Sequence, residues 1–109
     1  MYLYGGIVAG GADNVDMYSL ELNKFLWQLV RPKPAFGKLH KLPGPRDEHS
    51  ACVFEDNMII FGGFQRGSRN NDVFIYNFKD NEWSKLTTKG DAPCPRSGHS
   101  SVIYEDKSC

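Results

Sequence analysis

Two arginines and two histidines recur in this chain fifty residues apart. Pro45-Arg46-Asp47-Glu48-His49-Ser50 returns as Pro95-Arg96-Ser97-Gly98-His99-Ser100. A guanidinium stays charged and pairs bidentately with carboxylates, so Arg46 and Arg96 are candidates to bind acidic groups. The competing reading is structural: each Pro-Arg step orders the start of a strand, and its arginine bonds backbone carbonyls of the next unit. Imidazole is a common metal ligand, which makes His49 and His99 a conceivable pair. No Cys, Asp or Glu set at metal spacing surrounds both of them. They are therefore expected to be structural side chains bonded to backbone, with no metal and no cofactor.

Other chemistry is thinner. Gly5-x-x-x-x-Gly10 is followed by Gly11-Ala12, so the Lys-Ser/Thr of a phosphate loop is absent. Neither a Gly-x-Ser-x-Gly elbow nor a His-Glu-x-x-His pair occurs. The chain is expected not to be an enzyme. Phe64 to Asn71 reads as a polar loop, and loops on a rigid scaffold commonly carry recognition. Arg66, Arg69 and Asn71 are its candidates to contact a partner. The connection from Arg31 to Arg46 is basic and proline-rich. It could meet an acidic peptide or a nucleic-acid backbone. The 13 basic and 13 acidic residues of the whole chain cancel, which argues against a dedicated nucleic-acid binder.

These residues need elements to hold them, and the repetition shows which. Met1-Tyr2-Leu3-Tyr4-Gly5-Gly6 returns as Met58-Ile59-Ile60-Phe61-Gly62-Gly63, and Asp16 and Trp27 return as Asp72 and Trp83. The clearest copy predicts four strands: Ser50 to Phe54, Met58 to Phe61, Asp72 to Phe78 and Glu82 to Leu86. Polar turns rich in Asn and Asp separate them. Gly62-Gly63 is expected to end the second strand. The earlier copy supplies strands at 1–4, 16–22 and 26–29, and the last one a strand at 100–104. Trp27 and Trp83 are expected to pack over the Gly-Gly pairs of their own units, Gly5-Gly6 and Gly62-Gly63.

A period of roughly fifty with Gly-Gly and a lone Trp is a repeat-architecture signature. These residues resemble the kelch repeat, over nearly the whole chain. The resemblance implies an all-β fold: a kelch-type propeller segment of four-stranded antiparallel blades in an incomplete ring. Residues 1–30 would form strands two to four of one blade. Residues 31–48 would link it to a full blade at 49–86, and 99–104 would begin a further blade. In kelch proteins the positions of Arg46 and Arg96 lie near the central cavity and in some members bind acidic peptide groups. The implied function is non-catalytic recognition of a partner protein or peptide, as an adaptor or scaffold such as a ubiquitin-ligase substrate receptor. The alternative is a fragment of a kelch-like propeller enzyme, an oxidase or sugar isomerase.

Composition sets the remaining expectations. Three cysteines, an odd number without a Cys-x-x-Cys pair, and no Asn-x-Ser/Thr acceptor point to the cytoplasm or nucleus. No apolar run approaches the roughly 18 residues of a membrane span, and neither a membrane nor a nucleic acid is expected as partner. Two blades would leave apolar faces open. A piece of a longer protein would explain that, as would self-assembly that closes the propeller.

Overall fold

The computed structural model describes residues 1–6, 16–33, 42–104 and 107–108. The middle of the basic connection and the expected variable loop at 7–15 lie outside the described residues, as do Glu105, Asp106 and Cys109. Among the described residues every regular element is a strand. The first sheet holds β1 (Tyr2–Tyr4), β2 (Met17–Glu21) and β3 (Leu26–Val30). The second holds β4 (Ser50–Phe54), β5 (Asn57–Gln65), β6 (Ser68–Asn77) and β7 (Glu82–Leu86). A short hairpin, β8 (Ile103–Tyr104) and β9 (Lys107–Ser108), begins a third. Strand order follows chain order in each sheet, and all pairs are antiparallel.

Alternation along the strands decides the packing. Leu3 pairs with Tyr18 and Leu20 with Trp27 in the first sheet. In the second, Ile60 pairs with Phe74 and Tyr76 with Trp83. The repeat therefore preserves cross-strand register as well as residue type. Tyr4 and Met17 point from one face of the first sheet onto Met58, Ile60, Phe74, Tyr76 and Trp83 of the second. This is the core. The Trp83 ring centre lies 5.3 Å from that of Tyr4 and 5.2 Å from that of Tyr76, and Tyr2 packs tilted on Phe78 at 4.6 Å. Aromatic pairs at such separations add to the gain from area burial alone.

Two expectations change. Gly62-Gly63 does not end β5. The strand passes through both residues with a register shift and continues to Gln65. The residues read as a polar loop form instead the far end of a long hairpin, closed by Arg66 and Gly67 at φ 48° and 85°. Both signs are positive, as in the mirror-image turns that match strand twist. The second change concerns the tryptophans. The atoms nearest to a side chain built on Gly62 or Gly63 belong to Arg96, His99, Asn70, Asp47 and His49. Trp83 packs on the tyrosines at the interface between the two sheets, and Trp27 is 50% exposed, edge-on to Tyr18.

The glycine pairs receive the Pro-Arg segment of the unit that follows. The Gly6 amide donates to the Arg46 carbonyl at 2.9 Å, and the Gly63 amide donates to the Arg96 carbonyl at 2.9 Å. A Cβ on Gly62 would sit 2.8 Å from the Arg96 carbonyl oxygen and 2.9 Å from the His99 ring, and Gly62 has φ 69°. Neither the space nor the conformation admits a side chain.

Removing a buried aromatic loses transfer energy and leaves a cavity. Trp83→Ala should cost roughly 3–5 kcal/mol of unfolding free energy, against about 1 kcal/mol or less for the half-exposed Trp27→Ala. Urea unfolding of both variants checks this; equal losses would show that Trp83 is not the core residue described.

Candidate functional site

The extended β5–β6 hairpin builds the site. Its far end is held on both sides. On one side Asp47 and Phe64 exchange two backbone hydrogen bonds, of 3.0 and 2.7 Å. On the other the Arg96 amide donates to the Asn70 carbonyl at 3.0 Å. The hairpin is thus stitched between the Pro-Arg segment of its own unit and that of the next. Prolines at 93 and 95 keep the incoming loop extended, and Gly98 donates its amide to the Glu48 carbonyl at 2.8 Å.

This arrangement separates the two arginines that the sequence treats alike. Arg46 is 3% exposed. Its guanidinium donates to the carbonyl oxygens of Gly62 (3.0 Å) and Pro43, to Asn70 Oδ1 at 3.3 Å and to Gln65 Oε1 at 3.5 Å. It lies 5.0 Å from the centre of the Phe74 ring, a cation–π contact. Arg46 was expected to meet a partner's carboxylate; a side chain enclosed by five groups of its own chain has no surface to offer one. Burial lowers its affinity for a proton, an effect the nearby Tyr4 and Asp72 oppose, and a guanidinium remains charged even so.

Arg96 is exposed, its Nε donating to the Cys94 carbonyl at 3.1 Å. The cage around Arg46 comes from strands β5 and β6. The third sheet has only β8 and β9 among the described residues, so no equivalent cage surrounds Arg96 here. Next to it Arg69, also exposed, donates from Nε to Ser97 Oγ at 3.2 Å. Asn71 Nδ2 donates to the Pro93 carbonyl at 3.0 Å. Arg66 occupies the exposed turn two residues from Ser68. The hairpin end and the 93–98 loop therefore gather Arg66, Arg69, Asn71 and Arg96 at one corner, from which Arg46 is withdrawn.

The histidines flank the Gly62-Gly63 pair. His49 stands edge-on to Tyr4, with ring centroids 6.0 Å apart. Burial, helped by the Arg46 cation, holds its imidazole below the usual range. Burial also pushes the Tyr4 phenol up to about 12, and its hydroxyl donates to the Gly44 carbonyl at 2.6 Å. His99 is edge-on to Phe61, and its Nε2 shares a hydrogen bond of 2.8 Å with Ser50 Oγ. Among the described residues no three His, Cys, Asp or Glu side chains converge as a metal site.

Sequence reasoning did not foresee a cavity of about 280 Å³ between the outer face of the second sheet and the segment 93–101. Phe61, Val73, Ile59 and Cys52 line one wall, with Ser101 and Arg96 opposite. The signal was the β5 run Met58 to Phe61, apolar on both faces, which demands cover on both.

The known proteins that this chain resembles share these repeats. The family model described as the KLHDC2/KLHL20/DRC7 Kelch-repeats domain matches residues 1–109. Host cell factor 2 of Homo sapiens is 33% identical over 115 residues, covering 94% of this chain and 14% of that protein. Acyl-CoA-binding domain-containing protein 5 of Arabidopsis thaliana is 32% identical over 103 residues, covering 94% of this chain and 15% of that protein. The solved structure of YjhT superposes with a TM-score of 0.65 at 26% identity, covering 84% of this chain and 26% of that one. The chain thus spans about one-seventh of the length of these two curated relatives. With its four-stranded blade, glycine pairs and interlocking Pro-Arg segments, the chain belongs to the kelch-repeat family.

Proposed function

We propose that this kelch-repeat segment is a non-catalytic recognition module for a partner protein or peptide bearing acidic groups. The observation that carries the reading is the corner where Arg96, bridged through its backbone to Asn70, and Arg69, the residue before Asn70, both stand exposed. Arg66 lies at the turn beside them. The groups are held by a stitched hairpin, so little ordering entropy is lost when a carboxylate arrives. Guanidinium forks suit carboxylates in geometry as well as charge.

The relatives support a recognition role. A host cell factor, an acyl-CoA-binding-domain protein and a Ras guanine nucleotide exchange factor have different names and share this segment over a small part of their length. A region common to proteins so unlike fits a module that binds, with the rest of each protein supplying its own activity. An adaptor or scaffold role follows from the same reading.

Two sets of variants test the assignment. Arg66→Ala, Arg69→Ala and Arg96→Ala combined should leave the circular dichroism unchanged. They should weaken capture of fluorescent Asp/Glu-rich peptides about tenfold, a loss of about 1.4 kcal/mol. Binding of these peptides should also weaken with added salt. Acidic and neutral peptides binding alike, or a triple variant with full affinity, would overturn the reading. Arg46→Ala should behave differently. It strands buried carbonyl acceptors and should lower stability by about 2–4 kcal/mol, measured by urea unfolding. A fully stable Arg46→Ala protein would mean that the cage is not structural.

A further inference from the structure

His49 lies where the two sheets meet the Pro-Arg segment between them. A side chain built on Gly5, just past β1, would sit 3.0 Å from the His49 Cε1, and one built on Gly63, in β5, would sit 2.9 Å from its Cβ. The backbone bonds that join the sheets start from the same segment. The Gly6 amide donates to the Arg46 carbonyl, and Asp47 and Phe64 bond each other through their backbones. A change in the His49 ring is therefore felt at the joint between the repeats.

The ring is built into this joint in its neutral form. Its Nδ1 is buried, and among the described residues it has no hydrogen-bond partner. The ring does bond the backbone of Tyr4, in a way that favours the charged ring, so the Tyr4 carbonyl is the acceptor. A carbonyl only accepts, so the other ring nitrogen, Nε2, carries the proton and Nδ1 is bare. A second proton has to go on Nδ1. It would make a buried donor without an acceptor and place a second cation beside the Arg46 guanidinium. The Arg46 Nε is itself buried without a partner among the described residues.

The groups facing the ring are divided. Burial and Arg46 oppose its charging, and His99 of the next Pro-Arg segment adds to them; the Tyr4 carbonyl and Asp47 favour it. The Tyr4 phenol stays neutral, Asp72 faces Arg46 and Lys85, and Gly63 brings no charge from β5. Burial and Arg46 prevail, and the ring is uncharged at neutral pH.

We propose that His49 makes the joint between the two repeats acid-sensitive: on taking up a proton it drives the Pro-Arg segment off Gly6 and Phe64 and frees the far end of the β5–β6 hairpin. A histidine held below its usual range in the folded chain charges more readily once unfolded, where it titrates at about 6.5. The stability contributed by the neutral ring is thus complete above that pH and is lost progressively as pH falls below it. Ordinary carboxylates titrate below this window. The device uses none of the exposed arginines, so it and the acidic-partner reading can fail separately.

Urea unfolding of the 109-residue chain between about pH 7.5 and about pH 5.5 tests it. The wild-type midpoint should fall with pH. His49→Gln, which keeps a donor for the Tyr4 carbonyl and cannot be charged, should flatten that fall, and His99→Gln should keep it. NMR on the wild type gives the local reading: hydrogen-exchange protection of the Gly6 and Phe64 amides should drop as the His49 ring protonates. A wild-type midpoint that does not move, a fall that survives His49→Gln, or one that vanishes with His99→Gln would overturn the proposal. If His49→Gln does not fold, the wild-type titration decides. A His49 ring that titrates at or above the usual range, or amides that keep their protection once it is charged, would overturn the proposal as well.

Discussion

The close approach of an arginine carbonyl to the second glycine of the preceding repeat governs the rest of this structure. Gly6 meets Arg46 and Gly63 meets Arg96 at the same distance. The contact needs bare backbone on the glycine side and an ordered, proline-led segment on the other. Once it forms, His49 and His99 are placed over the glycines, the strand that follows is aimed, and the loop before Arg96 is brought beside the hairpin. The exposed corner of Arg66, Arg69 and Arg96 follows from this packing contact.

Among the described residues the two copies of the motif stand in different surroundings. Arg46 enters a pocket closed by the hairpin of its own blade, where carbonyl and amide oxygens and the Phe74 ring replace water around the cation. A buried charge is tolerated only where such partners are present. Arg96 begins a blade of which the structure describes one short hairpin, and its guanidinium stays in solvent. The groups that enclose Arg46 come from strands that follow the motif in sequence, so the six residues of the motif do not reveal them.

Much of the architecture was legible because the repeat preserves cross-strand neighbours. Residues offset by 56 or 57 positions take the same partners, so Leu20–Trp27 and Tyr76–Trp83 could be aligned before either was seen to pair. The all-β propeller segment and its family followed from that. The hairpin end was less legible. Gly62-Gly63 has the composition of a terminator, yet its register shift lets the strand continue. The tertiary contact that makes this worthwhile, with Arg96, lies more than thirty residues further on. The polar residues 64–71 look like a loop by hydrophobicity. They pair as strands because backbone bonds to Asp47 and Arg96, which are indifferent to side-chain type, flank them on both edges.

The stitched hairpin also bears on how the molecule comes apart. In a solenoid or array each unit contacts only its neighbours, and stability divides into intrinsic and nearest-neighbour terms. Here one hairpin is bonded through its backbone to two successive Pro-Arg segments, so it cannot fray without releasing both. The blade and the start of its successor therefore open as one cooperative unit. The corner that faces a partner is anchored at the joint between repeats, and a load applied there is shared by two blades.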